Sequence, residues 1–338
     1  MFNSLEINGY RGLKHFEMKG LGRVNLLVGR NNSGKTSVLE AVLILASLAN
    51  PRNIWGILRN RNEEAEVDLA SLYGNPASEP DYDVNHLFHG HQITGGSFSI
   101  SADNKARGIG CSVLGSEVTL ILSFKEQTDY IPLTIPKILN RKNVFGVIWN
   151  PSGQVINCQY IPTCLLSVAG LNYKWDDIGL TWKEDIVLQA IRYVEPDIEG
   201  ILPIQKRGGF KVKLKGNDTP VPIGSLGDGM WRALALAVAL VQSKDGFLLV
   251  DEIDTGLHYS VMSSIWKMIF ETAKKHNIQV FATTHSLDCV NSLASICREG
   301  VDEGSEVTIQ RLEPEHNRAV AYTEDEISIA ARRHIEVR

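Results

Sequence analysis

The sequence predicts an α/β fold in which a mixed or parallel sheet is flanked by helices, with an antiparallel β subdomain and a short helical insertion. The apolar run 24–28 leads directly into a glycine-rich loop and then into an apolar helix. In the last third of the chain, the predicted helices 230–242 and 260–276 alternate with the apolar runs 247–250 and 278–282. Such alternation is typical of a parallel sheet covered by helices on both faces.

Further strands are predicted from short apolar runs bounded by turn residues. These runs are 2–8, 15–18, 98–100, 118–122, 147–149, the alternating run 210–215 and a closing hairpin within 306–324. The helix after the glycine-rich loop is expected to end before Asn50 and Pro51. Residues 182–194 carry apolar side chains at helical spacing, which predicts an amphipathic helix serving as a packing or dimer surface. The polar stretch 59–82 is predicted to be a loop.

Length and composition are those of a folded globular protein. At 338 residues, with 43% hydrophobic and 22% charged residues, the chain can bury a large core. We interpret it as one domain in three parts, 1–135, 136–222 and 223–338. The net charge of −5 provides no global attraction to nucleic acid. Because neither a leader pattern nor a membrane-length apolar run is present, we expect a cytoplasmic protein with no membrane partner and reduced cysteines.

Residues 29–36 fit the pattern G-x-x-x-x-G-K-[ST] of a phosphate-binding loop. Glycine lets the backbone wrap a phosphate closely, and the helix that follows aims free N–H groups and its positive dipole end at that charge. Lys35 is expected to reach the β- and γ-phosphates, and the Thr36 hydroxyl to help hold Mg²⁺. The predicted ATP-binding residues of the loop are Gly29, Arg30, Asn31, Asn32, Ser33, Gly34, Lys35, Thr36 and Ser37.

Two acids follow the apolar run 247–250, at the carboxyl end of a predicted strand, where open α/β sheets bind their ligands. Asp251 is expected to hold Mg²⁺, directly or through water, and Glu252 to orient and polarise an attacking water. His285 follows the next predicted strand and is expected to hydrogen-bond the γ-phosphate or that water. Together with Lys35, Glu252 and His285 form the predicted catalytic set.

The order of these motifs resembles that of ABC-type ATPases. The phosphate loop comes first, followed by the Gly-Asp-Gly stretch 227–229, then Asp251-Glu252-Ile253-Asp254, then Thr284-His285-Ser286. Within that class the sequence is most similar to the ATPase domain of the OLD (overcoming lysogenization defect) family, near RecF, Rad50 and SMC. The features that resemble this branch are Asn31 in the loop and the opening stretch 5–13.

The resemblance implies a head-to-tail dimer that sandwiches two ATP molecules, in which each subunit's signature loop reaches the nucleotide held by the other. The residues implied at that contact are Ser225, Gly227, Asp228, Gly229 and Asp254, with Arg232 nearby. Arg11 resembles an N-terminal arginine that contacts nucleotide, and His285 a switch histidine. Gln92 is the candidate for the loop glutamine that helps hold Mg²⁺. Because the signature lacks its usual serine, hydrolysis is expected to be slow.

By this resemblance, the chain is expected to be a Mg²⁺-dependent ATPase that acts as a dimer or larger assembly in bacterial antiphage defence. Full OLD proteins carry a Toprim nuclease domain, and the 338 residues are not expected to hold one, so the expected partner is a separate nuclease or Toprim-like effector. One alternative is a RecF-like repair ATPase that contacts DNA through Lys211, Lys213 and Lys215. Another is a nucleotide-gated scaffold that keeps a toxin silent.

Overall fold

The computed structural model describes residues 1–63, 83–91, 96–104, 107–114, 117–124, 127–133, 156–163, 168–204, 209–298 and 306–333. Its strands are β1 Ser4–Tyr10, β2 Leu13–Lys19, β3 Val24–Val28, β4 Ser97–Ala102, β5 Arg107–Leu114, β6 Glu117–Phe124, β7 Gln127–Leu133, β8 Cys158–Ile161, β9 Ile198–Pro203, β10 Phe210–Leu214, β11 Val221–Pro222, β12 Phe247–Val250, β13 Gln279–Thr283, β14 Val307–Glu313 and β15 Arg318–Tyr322. Its α-helices are α1 Lys35–Ala46, α2 Pro51–Asn60, α3 Val168–Asp176, α4 Trp182–Ile191, α5 Asp228–Gln242, α6 Tyr259–Lys275, α7 Leu287–Arg298 and α8 Glu324–Arg332.

In the described residues, twelve strands form one mixed sheet in the order β7-β6-β5-β4-β1-β2-β15-β14-β3-β13-β12-β8. The run from β14 to β8 is parallel throughout. The run from β7 to β2 is antiparallel throughout, and it joins the parallel run through β15. This arrangement confirms the predicted α/β class and the antiparallel subdomain. Strands β9, β10 and β11 form a separate small antiparallel sheet.

Helices cover both faces of the parallel strands, and alternate residues of each strand face opposite ways. Leu27, Leu249 and Phe281 join the buried cluster that contains α1. Their neighbours Leu26 and Leu248 join the second cluster, which contains α5, α6 and α7. Because both faces of the strands are buried, their sequences are continuous apolar runs, as the sequence predicted.

Several element predictions need correction. Asn50 and Pro51 do not simply end a helix: Asn50 accepts a hydrogen bond from the Arg52 N–H at 3.0 Å and caps α2, which begins with Pro51 as its first residue. The predicted loop 59–82 therefore starts inside α2, and its residues 64–82 lie outside the described part, as does the predicted strand 147–149. The elements that the sequence did not predict are α2, α3, α7, α8, β5, β7, β8, β9 and β11.

No helix in the described part of the chain combines the length and the apolar character needed to cross a bilayer. The cysteines described there, Cys111, Cys158, Cys289 and Cys297, are free thiols. All four are buried or half-buried, and Cys164 lies outside the described residues.

Candidate nucleotide-binding site

The glycine-rich loop connects β3 to α1 through a backbone that needs glycine at two points. Gly29 has φ 145°, and a Cβ atom there would lie 3.0 Å from the Ser33 Oγ and 3.2 Å from the Leu312 carbonyl oxygen. Gly34, with φ 89°, stands immediately before α1. Both positions lie in the left-handed region that favours glycine. The motif therefore has the strand–loop–helix geometry that phosphate binding requires.

Two polar groups inside the loop are placed for a phosphate. The Lys35 ammonium is largely buried and donates to the carbonyl oxygens of Gly29 and Arg30, both at 2.9 Å. Burial lowers the pKa of Lys35, while the charges of Asp251 and Glu252 oppose that shift. The Ser33 hydroxyl is buried and has no hydrogen-bond partner. An unsatisfied buried hydroxyl beside a buried ammonium is the pattern expected of an anion site.

Asp251 is the point on which the neighbouring strands converge. Val250, the last residue of β12, pairs with Ile161 of β8 on one side and with Ala282 of β13 on the other. The next residues therefore meet at the same edge of the sheet. The Asp251 carboxylate accepts from the hydroxyls of three threonines: Thr36 at 3.0 and 3.2 Å, Thr163 at 3.2 Å and Thr283 at 2.6 Å.

Of these hydroxyls, only that of Thr36 was predicted. Thr283 follows an apolar run, and that position could have indicated a residue at the edge of the sheet. Nothing in the sequence indicated Thr163, because β8 itself was not predicted. In the described residues, no group of three or more His, Cys, Asp or Glu side chains could hold a metal. The pair Thr36 and Asp251 fits Mg²⁺, which is commonly held by one or two protein oxygens together with water and phosphate.

Glu252 lies next to Asp251 in an unusual backbone conformation. Its φ is 46°, in the left-handed region that residues with a side chain rarely adopt. The Glu252 N–H donates to the Thr283 hydroxyl at 2.8 Å, and its carbonyl accepts from the Arg232 guanidinium at 3.0 Å. The Thr255 hydroxyl donates to its carboxylate at 3.2 Å. The direction of this carboxylate is therefore set by contacts on both sides of the residue.

The loop after Glu252 contacts the end of β13. The Thr284 hydroxyl donates to the Asp254 carboxylate at 2.5 Å and accepts from the Ser286 N–H at 2.9 Å. His285 lies between these residues, and its side chain is exposed at the same sheet edge as Asp251. The structure thus places His285 and Asp254 beside the predicted magnesium ligands.

The structure does not bring Arg11 to the loop as a free cation. Its guanidinium makes a bidentate pair with Glu63, at 2.6 and 2.9 Å, and its Nε lies 2.7 Å from a carboxylate oxygen of Glu40. Arg11 also has φ 50° and is almost fully buried. Nucleotide contact by Arg11 requires the guanidinium to leave Glu63, so that contact stays a prediction.

The Gly-Asp-Gly stretch lies at the start of α5. The Ser225 hydroxyl makes a local hydrogen bond, in which it donates to the Pro222 carbonyl at 2.6 Å. Gly227 has φ 98°, and α5 begins at Asp228. A Cβ atom on Gly229 would lie 3.5 Å from the Leu257 side chain, so this stretch packs beside the loop that carries Asp254. Gln92 lies outside the described residues.

The arrangement as a whole is a phosphate loop whose threonine contacts an acid at the end of a parallel strand, with a second acid beside it. This geometry, on a mixed sheet covered by helices, is that of a P-loop ATPase fold.

Sequence and structure comparisons agree with that class. Residues 1–148 match the family "AAA ATPase domain", and residues 188–290 match "AAA domain, putative AbiEii toxin, Type IV TA system". An "ATP/GTP phosphatase" of Helicobacter pylori is 21% identical over 343 residues, covering 88% of this chain and 89% of that protein. The DNA replication and repair protein RecF of Nitrosococcus oceani is 51% identical over 41 residues, 12% of this chain and 11% of that protein.

Among solved structures, an SMC head bound to the C-terminal winged-helix domain of ScpA superposes with a TM-score of 0.50 at 13% identity, covering 95% of this chain and 98% of that one. At this identity the match supports the fold alone. The two family matches and the Helicobacter relative support ATPase activity.

Proposed function

We propose that the chain hydrolyses ATP with Mg²⁺ at this site and uses the cycle to control a separate protein. The observation that carries the proposal is the contact between Thr36, in the phosphate loop, and Asp251, at the end of β12. These two residues would hold Mg²⁺, which neutralises charge on the phosphates. Lys35 and the buried Ser33 hydroxyl would bind phosphate oxygens.

Glu252 would orient the attacking water. Glu252 follows Asp251, the proposed magnesium ligand, in the chain. Hydrogen bonds hold its backbone N–H and its carbonyl. In-line attack on phosphorus requires a placed water as well as charge neutralisation, and these two acids divide the tasks. His285, exposed at the same edge, would contact the γ-phosphate or that water.

The site would be completed by a second copy of the chain. Two large apolar side chains are exposed close to the site, where α6 and α7 begin: Tyr259 is 63% exposed and Leu287 is 41% exposed. Both helices follow the strands that carry Asp251 and Thr283. Apolar side chains exposed around a polar centre are characteristic of a protein–protein interface. This pattern supports the head-to-tail dimer, in which 225–229 and Asp254 would face the partner's nucleotide.

The surface for an effector would lie between residues 173 and 202. Of the nine large hydrophobic side chains exposed in the described residues, five fall between residues 173 and 202. They are Tyr173, Leu180, Trp182, Tyr193 and Leu202. This concentration supports a protein-binding role for the region that the sequence analysis assigned to a dimer or packing surface. By family resemblance, we propose a nuclease or Toprim-like effector, antiphage defence in a bacterium and a cytoplasmic location.

ATP turnover of the wild type and of Glu252→Gln tests the proposal, with oligomeric mass measured by light scattering with and without ATP. We expect Glu252→Gln to bind ATP, to lose turnover and to form a larger ATP-dependent species. Glu271→Gln, on the exposed side of α6, is the matched control and should behave as wild type. Turnover in Glu252→Gln at the wild-type rate would remove Glu252 from its proposed role.

The RecF match favours a second candidate function, ATP-dependent DNA binding. Lys211, Lys213 and Lys215 lie on or just beyond β10, and Lys213 already pairs with Glu199 at 3.0 Å. DNA binding that weakens steeply with salt and disappears in a triple Lys→Gln variant would support this function.

The toxin named in one family description favours a third candidate, a nucleotide-gated scaffold. Brisk turnover by the isolated protein would contradict the scaffold.

A further inference from the structure

Arg232 is a buried cation near the start of an apolar helix. It lies in α5, between Met230 and the run of alanine and leucine residues that follows, and only 1% of it is exposed. Its terminal NH2 donates to the carbonyl oxygens of Asp251, at 3.2 Å, and Glu252, at 3.0 Å. Its Nε and NH1 are buried and have no hydrogen-bond partner. A buried guanidinium with two unsatisfied donors is costly, so its position calls for a functional explanation.

The carbonyls that Arg232 holds belong to the two acids of the candidate site. Glu252 has a left-handed backbone, which is unfavourable for a residue with a Cβ atom and persists only where neighbours hold it. Its N–H is fixed by the Thr283 hydroxyl on one side, and its carbonyl by Arg232 on the other. Loss of the Arg232 contact would release one side, and the Glu252 carboxylate would change direction.

Arg232 also ties this corner to the start of α5. The helix begins at Asp228, so Arg232 lies about one turn into it, directly after the Gly-Asp-Gly stretch. Near the same point, Gly229 packs against Leu257, in the loop that follows the two acids. A movement of the start of α5 would therefore reach Glu252 through a single buried side chain.

We propose that Arg232 is a positioning residue for Glu252, which holds the Glu252 backbone in its left-handed conformation and transmits movement of the start of α5 to the carboxylate. The inference rests on the proposed role of Glu252 as the residue that orients water. It implies that, when the stretch 225–229 contacts another subunit in an assembly, the direction of the Glu252 carboxylate in its own subunit changes. Nucleotide affinity should be largely independent of Arg232, because the guanidinium contacts neither the phosphate loop nor Lys35.

Steady-state turnover and the affinity for a fluorescent ATP analogue, measured on the full chain, test this inference with Arg232→Met and Arg232→Lys. We expect kcat of Arg232→Met to fall by about tenfold or more, because a displaced Glu252 carboxylate no longer holds the attacking water in the productive geometry. The analogue's dissociation constant should stay within about twofold. Arg232→Lys keeps the charge, on a single donor nitrogen, and should show an intermediate kcat. A residue with a structural role alone would not separate kcat from affinity in this way.

The matched control is Arg23→Met. Like Arg232, Arg23 donates to a backbone carbonyl, that of Ala273 at 3.4 Å; it also pairs with Glu306 at 3.2 Å and stands at the opposite end of β3 from the phosphate loop. Its kcat and affinity should match the wild type. A melting curve for each variant shows whether it is folded.

Measuring Glu252→Gln in parallel distinguishes failure of the proposed role of Glu252 from failure of the proposed role of Arg232. If Glu252→Gln loses turnover while Arg232→Met keeps the wild-type kcat, the inference is overturned and the role of Glu252 stands. If Glu252→Gln turns over ATP normally, the role of Glu252 fails and this inference fails with it. If Arg232→Met does not fold, Arg232→Lys tests the inference instead. A wild-type kcat for Arg232→Lys would show that the guanidinium contact with the carbonyls of Asp251 and Glu252 is not needed, and the inference would be overturned.

Discussion

Replacing Glu40 by glutamine should destabilise the protein by a measurable and specific amount. Glu40 lies on α1 and is 2% exposed. Its carboxylate lies 2.7 Å from the Nε of Arg11 and 2.6 Å from the Nε of Arg61, and it accepts from the Tyr10 hydroxyl at 3.3 Å. Glutamine has nearly the same shape but no charge, and its amide would bring N–H groups toward two guanidinium ions.

The loss of stability depends on which arginine is left without an ion-pair partner when Glu40 becomes uncharged. Arg11 keeps its bidentate pair with Glu63. No second ion pair in the described residues compensates Arg61, but its side chain is 33% exposed, so water offsets part of the loss. Breaking a buried pair by altering one partner costs about 3 kcal/mol, toward the lower end of the usual range. With an unfolding entropy of about 2.1 cal/mol/K per residue, a chain of this length should lose about 4 °C in Tm.

Thermal unfolding followed by circular dichroism or calorimetry measures this change. Glu17→Gln is the matched control, since Glu17 makes an ion pair of similar length with Lys19, at 2.8 Å, with both side chains exposed. An exposed pair of this kind contributes at most about 1 kcal/mol and often nothing, so its Tm should stay close to that of the wild type. Equal Tm values for Glu40→Gln and Glu17→Gln would refute the assignment of the buried ionic cluster as a stabilising element.

Two further predictions concern the phosphate loop. Lys35→Ala should weaken ATP binding by about 30-fold or more in calorimetric titration, because a charged hydrogen-bond donor to the phosphates is lost; unchanged affinity would contradict the assigned role of the lysine. Thr36→Ala should raise the Mg²⁺ concentration needed for half-maximal turnover several-fold while leaving ATP binding in EDTA unaltered, since Thr36 joins the loop to Asp251. An unshifted Mg²⁺ dependence would separate Thr36 from the metal.

The local parts of the site could be predicted from the sequence. The phosphate loop could be predicted because its chemistry requires glycine where φ is positive, as at Gly34, and a lysine and a hydroxyl at fixed offsets. The strand before Asp251 could be predicted because a strand buried on both faces must be apolar throughout. These features depend on neighbours in the chain, and so the α/β class and the parallel core were predicted correctly.

Contacts between distant segments were decided only by the tertiary structure. Thr163 and Thr283 reach Asp251 because the parallel register of β8, β12 and β13 aligns their carboxyl ends, and no local pattern encodes that register. Arg11 looked available in the sequence, yet the fold brings Glu63 and Glu40 to its guanidinium. Arg232 was expected near the dimer contact, and the fold, with α5 packed against β8, brings its guanidinium to the carbonyl of Glu252. In each case the fold set which polar groups a buried side chain can contact, because burial leaves it no water to use instead.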